Sequence, residues 1–67
     1  MEFGELVGSF QKNTNATIRV HKLNFQGEEY IDIREFVATE EYDGLTRKGI
    51  RMREALIPKL VELLQKF

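Results

Sequence analysis

The chemistry open to this chain is set by seven cations (Lys12, Arg19, Lys22, Arg34, Arg47, Lys48 and Arg51) and three aromatic rings (Phe25, Tyr30 and Phe36). Cations that track phosphates and flat side chains on which bases can stack are what an unpaired nucleic-acid strand requires. His21 is a further flat side chain. Side chains able to read a base sequence by hydrogen bonding are scarce, so little sequence preference is expected. Each residue also has a plainer reading. Phe25 and Phe36 would serve equally as core or dimer residues, Arg34 as a partner for Asp32 or a neighbouring strand, and His21 as an ordinary exposed strand residue. On these residues alone, nucleic-acid binding and a protein-interaction domain stand side by side.

Enzyme chemistry finds less support. The chain has no cysteine, no glycine-rich phosphate loop leading into a helix and no metal-ligand spacing. Ser9 and His21 form the one candidate nucleophile–base pair, and nothing links them. Asp32 and Glu35 fall on opposite faces of one extended segment, which argues against a paired-carboxylate site. No enzyme, no cofactor and no metal is expected.

The net charge of −1 conceals a segregated pattern. From Leu6 to Gly27 there is no acidic residue, while Lys12, Arg19 and Lys22 lie within that span. Thr46–Arg53 carries Arg47, Lys48, Arg51 and Arg53, again without an acid. Acids gather at Glu28 and Glu29, at Glu40, Glu41 and Asp43, and toward the C-terminus at Glu54 and Glu62. Local basic patches, rather than whole-chain charge, attract phosphate. A solvated charged face is the competing reading.

The element that must position these groups is Tyr30–Phe36. Ile31 and Ile33 point one way, while Tyr30, Asp32, Arg34 and Phe36 point the other, the period-two pattern of a half-buried strand. A first strand is read over residues 3–12, with Leu6, Gly8 and Phe10 sharing a face, and it ends in the turn Lys12–Asn15. A second runs from Ala16 to Gln26, with Ile18 and Val20 inward and Thr17, Arg19 and His21 outward. Its alternation falters at Lys22 and Leu23, which a β-bulge near Lys22–Asn24 would repair; the face taken by Phe25 is left open. Gln26-Gly27-Glu28 reads as a hairpin turn. The third strand continues to Ala38, an acidic loop spans Glu40–Gly44, and a fourth strand spans Thr46–Met52, with Ile50 and Met52 inward. Leu56, Leu60, Leu63, Leu64 and Phe67 then recur at helical spacing over Glu54–Lys66. Pro58 suits only a first turn, so the regular helix starts near Ile57 or follows a looser lead-in over Arg53–Ile57. The expected fold is α+β: a four-stranded curved antiparallel sheet followed by one C-terminal helix laid across one face.

Sixty-seven residues make a single domain, 1–67. A chain of this size buries only about 60% of its unfolded surface. With no disulfide and only one histidine to offer a metal, oligomerisation is the remaining common remedy, and a homodimer is expected. No apolar run approaches a membrane span, and Glu2 and Glu5 are out of place in the basic n-region of a signal peptide. A cytoplasmic location, nucleoid association included, is the default, with no membrane partner.

The blocks Phe25-x-Gly27, Ile31-Asp32-Ile33-Arg34-Glu35-Phe36 and Arg47-Lys48-Gly49-Ile50 together resemble the positive cofactor four family of transcriptional coactivators. The resemblance spans about Arg19–Phe67 and is that of a short bacterial-type member. It implies a curved four-stranded sheet plus helix that dimerises through helices and sheet ends. It also implies binding of single-stranded or unpaired DNA. Phe25 would then stack on bases, while Arg34, Arg47 and Lys48 contact the strand. The chain departs from the family pattern at Gln26 and Glu28, where lysines are frequent, and at Val37, where tryptophan is common. Those changes remove expected contacts, so that either the affinity is lower or Arg19 and Lys22 compensate. The reading is a homodimeric single-stranded DNA-binding protein of transcription or melted DNA, using Phe25, Arg34, Arg47, Lys48, Arg19, Lys22, Lys12, Tyr30 and Phe36. A protein-interaction module of a transcription complex, or a single-stranded RNA binder, is the alternative.

Overall fold

The computed structural model describes residues 4–67. Four strands, β1 (Glu5–Asn13), β2 (Ala16–Phe25), β3 (Glu28–Ala38) and β4 (Asp43–Arg53), form one antiparallel sheet in the order β1-β2-β3-β4. A 3-10 turn over Glu54–Leu56 leads into α1 (Ile57–Leu64). Pro58 sits in the first turn of α1, where its missing N–H costs no helical bond. The looser lead-in expected around proline is this 3-10 turn. The start of the first strand at Phe3 lies outside the described residues.

Short connections dictate the meander. Gln26 and Gly27 both take positive φ, 53° and 83°, the geometry of a two-residue type I′ hairpin whose twist matches that of the flanking strands. Asn24 ties the turn down by accepting from the Gly27 N–H (3.2 Å) and donating to Glu29 (3.1 Å). Gln26 is the anomaly, since a side chain in left-handed geometry crowds the backbone and asparagine or glycine is preferred there. Gln26→Asn is therefore expected to stabilise the domain by about 0.5–1 kcal/mol, read as a shift of the urea midpoint without a change in slope.

The β2–β3 register runs unbroken from Ala16↔Val37 to Phe25↔Glu28. The bulge expected at Lys22–Asn24 is absent, because Lys22 does lie on the aliphatic side, opposite Ile31, and Leu23 on the other, where it is buried. Irregularities fall instead in β1, between Leu6 and Gly8 and between Gln11 and Asn13, and between β3 and β4, where Thr46–Lys48 lie opposite Glu35. The first of these moves Leu6 opposite His21, away from the face of Gly8 and Phe10, which correct the shared face expected for the three. Extra residues of this kind bend a strand and increase its twist.

Directly paired residues share a face, so the sheet reads as cross-strand rows. One face carries Phe10–Ile18–Glu35, Gly8–Val20–Ile33–Ile50 and Lys22–Ile31–Met52. The other carries Gln11–Thr17–Phe36–Leu45, Ser9–Arg19–Arg34–Gly49 and Leu6–His21–Asp32–Arg51. The helix does not cover the aliphatic face as expected. None of its residues is buried, and Phe10 and Ile50 stay exposed on the sheet. The helix is eight residues long and leaves from the end of β4, and the chain as a whole measures 37 × 34 × 17 Å. Among the described residues the buried apolar side chains are Ala16 and Leu23; the others buried are His21, Asp32 and Glu35.

Candidate functional site

Asp32 is the most enclosed residue of the sheet, with none of its surface exposed. It sits in the row Leu6–His21–Asp32–Arg51 and is covered by two long side chains lying over it. Arg34 donates from Nε to Oδ1 (2.8 Å) and from its terminal nitrogen to Oδ2 (3.1 Å), and Arg51 donates from Nε to Oδ2 (2.9 Å). Arg34 also donates to the Thr46 carbonyl (3.1 Å). Burial by itself would raise the Asp32 pKa. Hydrogen bonds from Arg34 and Arg51, and the charges behind them, outweigh that and hold the carboxyl below its ordinary value. The plainer reading of Arg34, as a partner of Asp32, is thus part of the geometry, and Arg51 joins the same cluster.

On the opposite face Glu35 is the second buried carboxylate. Lys12 reaches it from β1 at 3.0 Å and Lys48 from β4 at 3.9 Å. Two lysines from opposite edge strands of the sheet thereby converge on one side chain. The irregularity at Gln11–Asn13 and the one facing Glu35 deliver them there. The two acids of Asp32–Glu35 do lie on opposite faces, as the alternation requires.

Near the β1–β2 hairpin, Arg19 Cζ lies 3.7 Å from the centroid of the Phe36 ring. The two are diagonal neighbours, since Arg19 pairs with Arg34 and Thr17 pairs with Phe36. A guanidinium in contact with an aromatic face is held by the ring's quadrupole and by packing of two flat groups. Beside them is a shallow depression of about 140 Å³ lined by Gln11, Asn15, Thr17, Arg19 and Phe36.

The remaining sequence-selected residues are dispersed. Phe25 lies on the same face as Arg19 and Phe36 but at the far end of β2, opposite Glu28 and 57% exposed. Tyr30 is half-buried and donates to Glu28 (3.2 Å). Lys22 is exposed on the aliphatic side, and Arg47 is exposed in the stretch facing Glu35. His21, expected as an exposed strand residue, is instead buried opposite Asp32. The polar face therefore gathers Arg19, Arg34, Phe36, Tyr30 and Phe25, while Lys12, Lys22 and Lys48 belong to the other. Sequence reasoning passed over Gln11 and Asn15, whose placement depends on the β1 irregularity and leaves no trace in the hydrophobic pattern. Among the described residues no group of three or more His, Cys, Asp or Glu side chains could hold a metal ion. No helix is long and apolar enough to cross a membrane.

Comparison with known proteins follows the same outline. The sequence model of the family described as transcriptional coactivator p15 (PC4) matches residues 12–63. The fold matches a crystal structure of a PC4 homolog from Burkholderia pseudomallei in an orthorhombic form. The TM-score is 0.84 at 26% identity, covering 97% of this chain and 89% of that one. A tetragonal form of the same homolog gives a TM-score of 0.80 at 27% identity, covering 92% and 93%. No curated protein sequence matches the chain.

Proposed function

The chain belongs to the transcriptional coactivator p15 (PC4) family, and on that premise we propose that it binds single-stranded DNA, mainly through phosphates and stacking, as a homodimer. The observation that carries this reading is the Arg19–Phe36 contact at 3.7 Å on a face that also bears Arg34, Arg51 and the exposed ring of Phe25. It is a ready-made pairing of cation and ring, of the kind a strand without a complement engages. Phe25 stacks a base at one end of the face. Arg19 and Arg47 neutralise phosphates, and Arg34 contacts the strand from a position set by Asp32, while Lys22, on the other face of the sheet, lies off this path. Lys12 and Lys48 contribute from the sheet's rim, their charges partly offset by Glu35, and Tyr30 and Phe36 line the path. The role is in transcription or in the handling of melted DNA, without enzymatic chemistry, in the cytoplasm or on the nucleoid.

Support for the homodimer comes from apolar surface that one chain leaves open. Leu56 in the 3-10 turn, Val61, Leu63 and Leu64 on the helix and Phe67 after it, together with Phe10 and Ile50 on the aliphatic face, are exposed large hydrophobes. So many large hydrophobes left open on a small domain point to an interaction site, and a second copy supplies the core that a 67-residue chain lacks. Sedimentation equilibrium at micromolar concentration is expected to return the mass of a dimer.

Binding is tested by fluorescence anisotropy of a labelled strand of ~20 nucleotides at low and high salt, beside duplex DNA and an RNA strand of equal length. Salt-sensitive binding that favours the DNA strand over the duplex is the expected result. Phe25→Ala is expected to weaken it by about 1–3 kcal/mol, the worth of one base–aromatic stack, with the dimer intact. Tighter binding of RNA would reassign the ligand. Absence of strand binding at low salt would overturn the proposal and turn the search to protein partners.

A further inference from the structure

The depression beside the Arg19–Phe36 contact differs from the rest of the polar face in what lines it. Elsewhere that face offers guanidinium groups committed to Asp32, or a lone ring such as Phe25. Here a planar cation, a ring, a backbone turn and two carboxamides meet within about 140 Å³. Gln11, Thr17 and Phe36 occupy one cross-strand row and Arg19 the next. The hairpin turn Thr14–Asn15 closes the end.

Three features bear on what such a site takes. The Phe36 ring already has Arg19 against it, so a flat ligand entering from that side meets the guanidinium rather than the ring. Guanidinium is planar and weakly hydrated, and a π-system stacks on it readily. The Gln11 amide is anchored, because its Nε2 donates to the Asn13 carbonyl. That leaves its carbonyl oxygen as an acceptor. The turn is also held in place by the Asn15 N–H, which donates to Asn13 Oδ1 at 3.0 Å. An anchored acceptor beside a flat cation is a site for a flat heterocycle that presents an N–H donor on its edge. A phosphate would use the cation alone.

We propose that this depression is a base-reading subsite, in which one splayed-out nucleobase stacks on the Arg19 guanidinium while its exocyclic amine donates to Gln11. The proposal rests on the single-strand reading above and refines it, adding a modest preference for an amino-bearing base at one position of an otherwise sequence-tolerant interface. Cytosine carries such an amine and thymine carries a carbonyl in its place, so the two pyrimidines differ at the atom in question while stacking similarly.

The test compares anisotropy titrations of labelled oligo(dC) and oligo(dT) of equal length, at neutral pH and one fixed salt concentration. The wild-type dimer is expected to bind oligo(dC) about fivefold tighter, the lower end of what one base-edge contact discriminates. Gln11→Ala is expected to bring the ratio close to one by weakening oligo(dC). Arg19→Lys keeps the charge but removes the planar surface, and is expected to weaken both strands by about tenfold while leaving the salt slope of binding in place. Equal affinity of the wild-type protein for the two strands, or a Gln11→Ala ratio like that of wild type, would overturn the subsite and leave the general reading standing. An Arg19→Lys protein that binds as wild type would overturn the stacking role. Failure to bind either strand overturns the subsite together with the reading beneath it.

Discussion

Asp32→Asn is expected to be among the most destabilising single substitutions in this domain, at about 3–5 kcal/mol, the range for breaking one side of a buried ion pair. Asparagine keeps the shape but offers one acceptor oxygen and no charge to two guanidinium groups. Arg34 and Arg51 would then remain on the sheet, about 14% and 32% exposed at the side chain, without the carboxylate that compensates them. A chain of this length holds on the order of 3–10 kcal/mol in total, so much of the folded population is at stake. Urea denaturation followed by circular dichroism, at fixed protein concentration because dimerisation couples to folding, reads the effect directly. A midpoint shift equivalent to less than about 1 kcal/mol would mean the cluster is a solvated ion pair of the ordinary surface kind.

The same group makes a pH prediction of definite sign. Its folded pKa is depressed by the two arginines against the opposing effect of burial. Its contribution is therefore fully present above the unfolded value, about 3.9, and is lost as pH falls through the lower folded value. The stability gap between wild type and Asp32→Asn should be constant from neutral to mildly acidic pH and close only below about pH 4.

Much of this architecture was legible because period two is a strong signal. Ile31, Asp32, Ile33 and Arg34 alternate, and the register places them as read, with Ile50 and Met52 facing the same side as Ile33 and Ile31. The IDIRE and RKG blocks carried the family, which the match over residues 12–63 bears out. Illegible were the places where register shifts. A slip of one residue exchanges the faces of everything beyond it, and hydrophobicity alone placed that slip at Lys22–Asn24, where a lysine faces Ile31 without any irregularity. The true shifts lie at Val7 and Lys12 in β1, an edge strand whose weak apolar pattern does not report them, and at Thr46–Lys48 in β4. Pairing was illegible for a related reason. That Lys12 meets Glu35 and Arg51 meets Asp32 depends on strand order and stagger, so cations that look equivalent in sequence divide into those held by a buried carboxylate and those such as Arg47 and Lys22 that make no ion pair among the described residues. The helix posed a different problem. Its apolar stripe is plain, but amphipathicity says only that a surface covers it, not whose surface that is.

Gly49→Ala is the substitution in the RKG block expected to do most damage, although alanine is small and β4 is an edge strand. Gly49 stands opposite Arg34, just past the stretch where Thr46–Lys48 crowd against Glu35. A Cβ built there would lie 2.5 Å from the Ile33 carbonyl oxygen, 2.8 Å from Arg34 Cα and 3.0 Å from Arg34 Cβ. Two of these are main-chain atoms and the third is the first side-chain carbon, with no flexible side-chain end to swing away. Relief would require β4 to move off β3, and the strands are coupled there by the Arg34–Thr46 and Thr46–Glu35 hydrogen bonds, at 3.1 and 3.0 Å. Overpacking against a fixed neighbour costs about 1–3 kcal/mol, and the upper end is expected because the clash is with main chain. The displacement would also loosen Arg34 from Asp32, so strand affinity should fall along with stability. Gly8, with nothing within 4 Å of an added Cβ, is the internal control: Gly8→Ala should leave the urea midpoint nearly where it was. If Gly49→Ala proved equally harmless, the close approach of β3 and β4 would have to be soft, and glycine's place between the basic pair and Ile50 would need another cause.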